Sequence, residues 1–256
     1  MKKVFRFLAV FLILTAFAAG AFRISGENGF NENDVIFFGD STTAHMKLRG
    51  GIPESRVWSG KANTVLFRTV CEGKPIYLED EDRAVSLAEA VRERKPKILV
   101  ITLGVSGGAG FMPEDKFVAV YKEMIDTVKA NSPETRLFAQ SILPLSDRSV
   151  LHYKKLSKEA VAVANEWICR LCEEENVPYI DTHSLLCDDS GYLKKIYQKY
   201  AGEEEISLAE IFERGGKPRN RSDRTYYYGY HFYPFTQIIR HNVLPFLPNL
   251  ILFRNF

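Results

Sequence analysis

The sequence predicts an α/β fold: a mostly parallel sheet with helices on both faces. Three observations carry this. Short apolar runs alternate with amphipathic helical stretches along most of the chain. The run "ILVITL" at Ile98–Leu103 is continuous rather than alternating, as a strand covered on both faces must be. The apolar run that ends at Phe38 breaks at once into Gly39-Asp40-Ser41-Thr42, where a strand gives way to a helix or loop. Right-handed crossovers then line up the strand C-terminal ends along one edge, where such sheets bind ligands.

The elements follow in order. Lys2, Lys3 and Arg6 precede an uncharged apolar stretch, Phe7 to Phe22, and Ala19-Gly20-Ala21 fits a small-residue cleavage pattern. Residues 1–22 therefore read as a signal peptide or an N-terminal membrane anchor, which places the protein outside the cytoplasm, secreted or held at the membrane by this segment. Residues 23–33 form a polar linker, and 34–256 the folded domain. Val35–Phe38 is the first strand and Arg56–Trp58 a shorter second. Arg83–Arg94 is a helix with Leu87, Ala88 and Val91 on one face. After the strand Ile98–Leu103, a helix at Asp115–Ala130 spaces Phe117, Val120, Met124 and Val128. Leu137–Ile142 is a strand with one polar residue, Gln140, inside it. A helix at Leu151–Glu175 spaces Leu156, Ala160, Val163, Trp167 and Leu171, and Val177–Ile180 is the last strand. Residues 188–227 are an irregular excursion with short helices around Tyr192–Tyr200 and Ile206–Arg214. A final helix runs from about Pro234 to about Leu244, with Pro234 in its first turn.

Composition narrows the classes. The 256 residues suit one α/β domain, and 46% hydrophobic with 26% charged residues supplies a full core. A net charge of +2, with both signs mixed, excludes a basic stripe and hence nucleic acid as partner. Cys169 and Cys172 form a C-x-x-C, but inside a helical pattern and without a second pair, so helix packing is the default and no metal site is expected. Cys71 and Cys187 complete the set. Export would permit a disulfide, whose connectivity the sequence does not give.

Ser41 stands where chemistry is expected, at the end of the first strand. A turn and helix cap would explain it; so would a nucleophile. A nucleophilic serine needs a base, a group orienting that base, and donors for the oxyanion. The histidines are His45, His152, His183, His231 and His241. His231, in "YYYGYHFYP" just ahead of the last helix, is the one a loop could return over the strand ends.

Here the sequence resembles the SGNH, or GDSL-type, hydrolases. "FFGDSTT" is similar to their first block, "KPKILVITLGVSGGAGF" to the third block with its Gly-x-Asn, and "GYHFYPFTQIIRHNVLPFL" to the C-terminal Asp-x-x-His block. "QSILPLSD" and "VPYIDTHSLL" match the strands between, so the resemblance covers roughly 34–248. It implies a three-layer αβα sandwich of flavodoxin-like topology and esterase or acylhydrolase chemistry with no metal or cofactor. Ser41 matches the nucleophile and, through its N–H, an oxyanion donor; His231 matches the base. The second-block glycine, another oxyanion donor, falls on Gly60 or on the position held by Asn63. Two positions depart from the pattern. Ser106 stands at the third-block asparagine, and losing one oxyanion donor costs about 10²–10³ in rate. Tyr228 stands at the aspartate, and a phenol with a pKa of about 10 cannot orient an imidazole as a carboxylate does.

Three functional readings stand. The first is an exported esterase, including a carbohydrate O-deacetylase, working through a Ser41–His231 dyad on an acylated small molecule or polysaccharide. The second is a degenerate domain that binds a cell-surface glycan without turnover. In the third, the GDSTT segment is only a turn and cap. The aromatic group Tyr226, Tyr227, Tyr228, Tyr230, Phe232 and Tyr233 either packs under the last helix or forms a sugar-stacking wall.

Overall fold

In a computed structural model of the chain, residues 32–48, 51–147 and 155–194 are described. Chain order runs β1 (Val35–Gly39), α1 (Ser41–Leu48), β2 (Val57–Trp58), β3 (Ile76–Leu78), β4 (Arg83–Val85), α2 (Leu87–Arg94), β5 (Ile98–Thr102), α3 (Glu114–Asn131), β6 (Arg136–Gln140), α4 (Lys158–Glu174), β7 (Tyr179–Ile180) and α5 (Thr182–Leu186). Five strands form one sheet in the order β2-β1-β5-β6-β7, and every pair is parallel. Counted within that sheet, this is the order 2-1-3-4-5 of a flavodoxin-like doubly wound fold.

The register explains why the strands read as unbroken apolar runs. Ile36 pairs with Leu99 and Phe38 with Ile101; Leu99 in turn pairs with Leu137, and Ile101 with Ala139. This face packs in one core with Leu87 and Val91 of α2, Phe117 and Met124 of α3, and Val161 and Ile168 of α4. On the opposite face Phe37, Val100 and Phe138 are buried too. Thr43 of α1 lies over Gly39, which shares that second face with Phe37, so α1 covers it and the sandwich has three layers.

Several expected elements shift. The helix expected at Arg83–Arg94 divides: Arg83–Val85 pairs antiparallel with Ile76–Leu78 as a hairpin, and the helix starts only at Leu87. The cause is local. Ser86 Oγ accepts from Glu89 N–H and the Glu89 carboxylate accepts from Ser86 N–H, a capping box that fixes the helix start. The helix expected from Leu151 starts at Lys158, where Ser157 Oγ accepts from Ala160 N–H. Its core stripe is Val161, Ala164, Ile168, Leu171 and Cys172; of the expected positions Leu156 and Leu171 are in the core and Trp167 packs against it, while Val163 is exposed. Arg56 belongs to a 3-10 turn rather than to β2, and its buried guanidinium donates to Val35 O at 3.1 Å.

All four cysteines are free thiols. Cys172 lies in the core, where burial pushes its thiol up to about 12. Among the described residues no helix is long and apolar enough to cross a membrane. The expected N-terminal segment, the helices at Ile206–Arg214 and Pro234–Leu244, and His152, His231 and His241 lie outside the described residues, as does all of the Tyr192–Tyr200 stretch beyond Lys194.

Candidate active site

The strand order reverses between β1 and β5, so the chain leaves these two neighbours in opposite directions and opens a crevice at their C-terminal ends. Two segments meet there: Asp40-Ser41 after β1, and Leu103–Ser106 after β5. Gly39 pairs with Thr102 across this end. A Cβ on Gly39 would stand 2.0 Å from Thr43 Oγ1 and 2.4 Å from Thr102 O, so only glycine lets α1 settle this close to the sheet.

Asp40 is the cap of α1. Its Oδ1 accepts from Thr42 N–H at 3.0 Å and from Thr42 Oγ1 at 2.7 Å, while its carbonyl accepts from Ala44 N–H at 3.0 Å. Ser41 is therefore the first helical residue, and its hydroxyl is not spent on capping. The residue is half-buried, and its Oγ makes no hydrogen bond among the described residues. Its N–H belongs to the unpaired first turn, at the positive end of the helix, which suits it to an oxyanion. The cap is Asp40 and not Ser41.

The Ser106 loop is held against this helix start. Ser106 N–H donates to Asp40 Oδ2 at 3.4 Å, and Ser106 O accepts from Phe67 N–H at 2.8 Å. Phe67 is itself anchored in a buried stack on Phe117. The position of Ser106 beside Ser41 is thus fixed through its backbone, and its side chain is a half-buried hydroxyl where the resemblance implied an amide. Gly60 and Asn63 share one turn after β2, on the other side of β1: Asn63 N–H donates to Gly60 O at 2.7 Å. A Cβ at Gly60 would meet Thr64 O at 2.2 Å, so glycine is required there. Asn63 has φ +57°, left-handed backbone that asparagine tolerates.

Two histidines are described. His45 is buried one helical turn beyond Ser41 on α1. His183, on α5, donates its backbone N–H to Ser141 Oγ at 2.8 Å, and its Nδ1 lies 3.0 Å from Ile142 O, which assigns the ring proton to Nδ1. Burial holds its pKa below the usual range, partly offset by that carbonyl. It follows β7, and its ring is held at the end of β6, two strands along the sheet from β1. The expected base His231 and its expected neighbour Tyr228 lie outside the described residues.

Two features exceed what the sequence suggested. Asp40 is 1% exposed; burial raises its pKa, opposed by its hydrogen bonds from Thr42, Ser106 and Val105. Its signal was the Asp-x-Thr spacing around Ser41, which reads as a cap. The second is a buried chain across the strand ends: Thr102 Oγ1 donates to Gln140 Oε1 at 2.9 Å, and Gln140 Nε2 donates to Thr182 Oγ1 at 2.5 Å. A lone glutamine inside an apolar strand was its only trace.

The profile of the GDSL-like lipase/acylhydrolase family matches residues 37–201, from inside β1 past the last described strand. The chain belongs to this family. The GDSL motif is Gly39-Asp40-Ser41-Thr42 here, with threonine in the fourth place. Among solved structures, the chain is similar to a candidate acylhydrolase from Bacteroides fragilis NCTC 9343, with 14% identity over 90% of this chain and 94% of that one, at a TM-score of 0.48. It is similar to the periplasmic domain of a lipopolysaccharide acetyltransferase from Salmonella ser. Paratyphi A, with 19% identity over 62% and 70% of the two chains, at a TM-score of 0.43. It is also similar to a family 3 carbohydrate esterase from Talaromyces cellulolyticus, with 15% identity over 63% and 88%, at a TM-score of 0.38. Comparison with curated proteins finds no match.

Proposed function

We propose that the protein is an exported serine esterase acting on acylated polysaccharide or a smaller acylated molecule outside the cytoplasm. The observation that carries the reading is the state of Ser41. It opens α1 at the switch point of the sheet, half-exposed, with its hydroxyl not bonded to any described residue because Asp40 does the capping. Membership in an acylhydrolase family supports ester cleavage as the reaction. The export-type N-terminal sequence supports a substrate outside the membrane.

In this mechanism the Ser41 hydroxyl attacks the ester carbonyl while His231 takes its proton. The negative charge that forms on the carbonyl oxygen is met by the N–H group of Ser41 and that of Gly60 or Asn63, with Ser106 at the third position. The tetrahedral adduct collapses, the C–O bond to the alcohol breaks, and His231 returns the proton to that alcohol. Water then attacks the acyl-serine by the same route and releases the acid. Tyr228 stands where the family pattern has its aspartate, so the reading is of a Ser41–His231 dyad.

A serine-reactive fluorophosphonate tests this directly. Labelling of the wild type at Ser41, with hydrolysis of an aryl acetate lost in Ser41→Ala and His231→Ala, is the expected result. Wild-type turnover no greater than that of Ser41→Ala, with no labelling, would sink it. That outcome favours the second reading, a glycan-binding domain without turnover, which the departures at Ser106 and Tyr228 support. Retention of Ser41→Ala on cell-surface polysaccharide is its test.

A further inference from the structure

We propose that the buried Asp40 carboxylate is a positioning residue that sets the Ser41 helix in register with the Ser106 loop, one oxygen holding each. The role in catalysis rests on the esterase reading above; the clamp itself does not. Oδ1 takes the two Thr42 donors, Oδ2 takes Ser106 N–H, and Val105 N–H also bonds the carboxylate, so every described partner of this side chain is a donor. Nothing smaller in acceptor capacity serves. An amide at this place keeps one acceptor oxygen and turns an NH₂ toward an N–H on the other side, donor against donor. A protonated carboxyl fails in the same way.

The loop has a second tether, Ser106 O to Phe67 N–H, which Asp40 does not touch. Loss of the Asp40 arm therefore leaves the loop attached to the Phe67 turn and free of α1. The groups at 41 and 106 address one oxyanion, so their separation governs how well it is held. A displacement of about 1 Å between such groups costs about 10²-fold in rate.

Among the described residues, few titratable groups neighbour Asp40. On α1 the other titratable groups are His45 and Lys47, the latter paired with Glu79 at 2.7 Å. β5 and its loop through Gly110 carry none. The turn after β2 carries Lys61, whose Nζ sits over the Tyr77 ring. Burial pushes the Asp40 pKa up while its hydrogen bonds hold it down. As pH falls through that raised value, the clamp opens.

The test measures the Ser106 amide in the full folded domain, with kinetics beside it. Asp40→Asn should speed hydrogen exchange at Ser106 N–H about threefold or more, the scale of an ordinary hydrogen bond lost at 3.4 Å, and leave Phe67 N–H protected. On an aryl acetate, kcat should fall about 10²-fold with KM little changed, and the acid limb of the wild-type kcat profile that belongs to Asp40 should vanish. In the wild type alone, the Ser106 amide shift should titrate together with the Asp40 carboxyl carbon. Equal Ser106 protection in wild type and variant, or no shared titration, overturns the clamp. A wild type without esterase activity or labelling sinks the catalytic reading, while amide exchange still decides the clamp.

Discussion

Replacing Gly39 by alanine adds one methyl where α1, β1 and β5 converge. The new Cβ would stand 2.0 Å from Thr43 Oγ1, 2.7 Å from Thr43 Cβ and 2.4 Å from Thr102 O. Rotating the Thr43 hydroxyl away does not help, because its Cβ is also too close. Thr102 O is backbone in the strand that pairs with β1. So α1 must lift by about 1 Å to clear Thr43, and β1 and β5 must part by about 0.6 Å to clear Thr102 O, for the contacts to reach 3.0 Å. Overpacking of this kind costs about 1–3 kcal/mol. For a domain of this size that lowers Tm by about 2–4 °C per kcal/mol. Ser41 rides on the first turn of α1, so the same lift of about 1 Å predicts a fall in kcat of about 10²-fold in the fraction that remains folded. The assay is a thermal melt beside the rate of fluorophosphonate labelling, both on Gly39→Ala. A variant with wild-type Tm and wild-type labelling rate would refute the reasoning, because it would show that the helix start has slack at its tightest contact.

Other outcomes are expected. Gln140→Leu leaves the buried hydroxyls of Thr102 and Thr182 without their partner and should cost about 2–4 kcal/mol in urea denaturation; adding Thr102→Val and Thr182→Val should recover most of it, and a triple variant as unstable as the single would contradict the network. His183 has a folded pKa below its unfolded value of 6.5, so the stability it contributes is present above pH 6.5 and is lost as pH falls through the folded value. Stability measured against pH should show this loss in the wild type and a shallower one in His183→Gln. Ser106→Asn combined with Tyr228→Asp restores the family pattern and should raise ester turnover; a folded double variant with no gain would mean the site has been rebuilt for another task.

Much of the fold was legible because the rules that fix it act between near neighbours. The continuous run at Ile98–Thr102 marked a strand buried on both faces, and the motif after β1 marked the start of α1. The capping box of Ser86 and Glu89 was also present in the sequence as Ser-x-x-Glu, and reading it would have placed the start of α2 correctly and freed Arg83–Val85 for the hairpin. Charge periodicity across Arg83–Arg94 masked it. For α4, Leu156, Trp167 and Leu171 stood out by their spacing and do meet the core, whereas Val163, at equally regular spacing, is exposed.

The sequence by itself determined the alternation of strand and helix, the family, and Ser41 as the candidate nucleophile, since these depend on residues adjacent in the chain or on a short motif. The tertiary structure alone decided which face of α4 meets the sheet, why Gly39 admits no side chain, and that Asp40 holds a loop 66 residues further on. The reason is physical. A cap is satisfied within three residues, whereas the second oxygen of Asp40 finds its donor only because parallel pairing lays the end of β5 beside the end of β1.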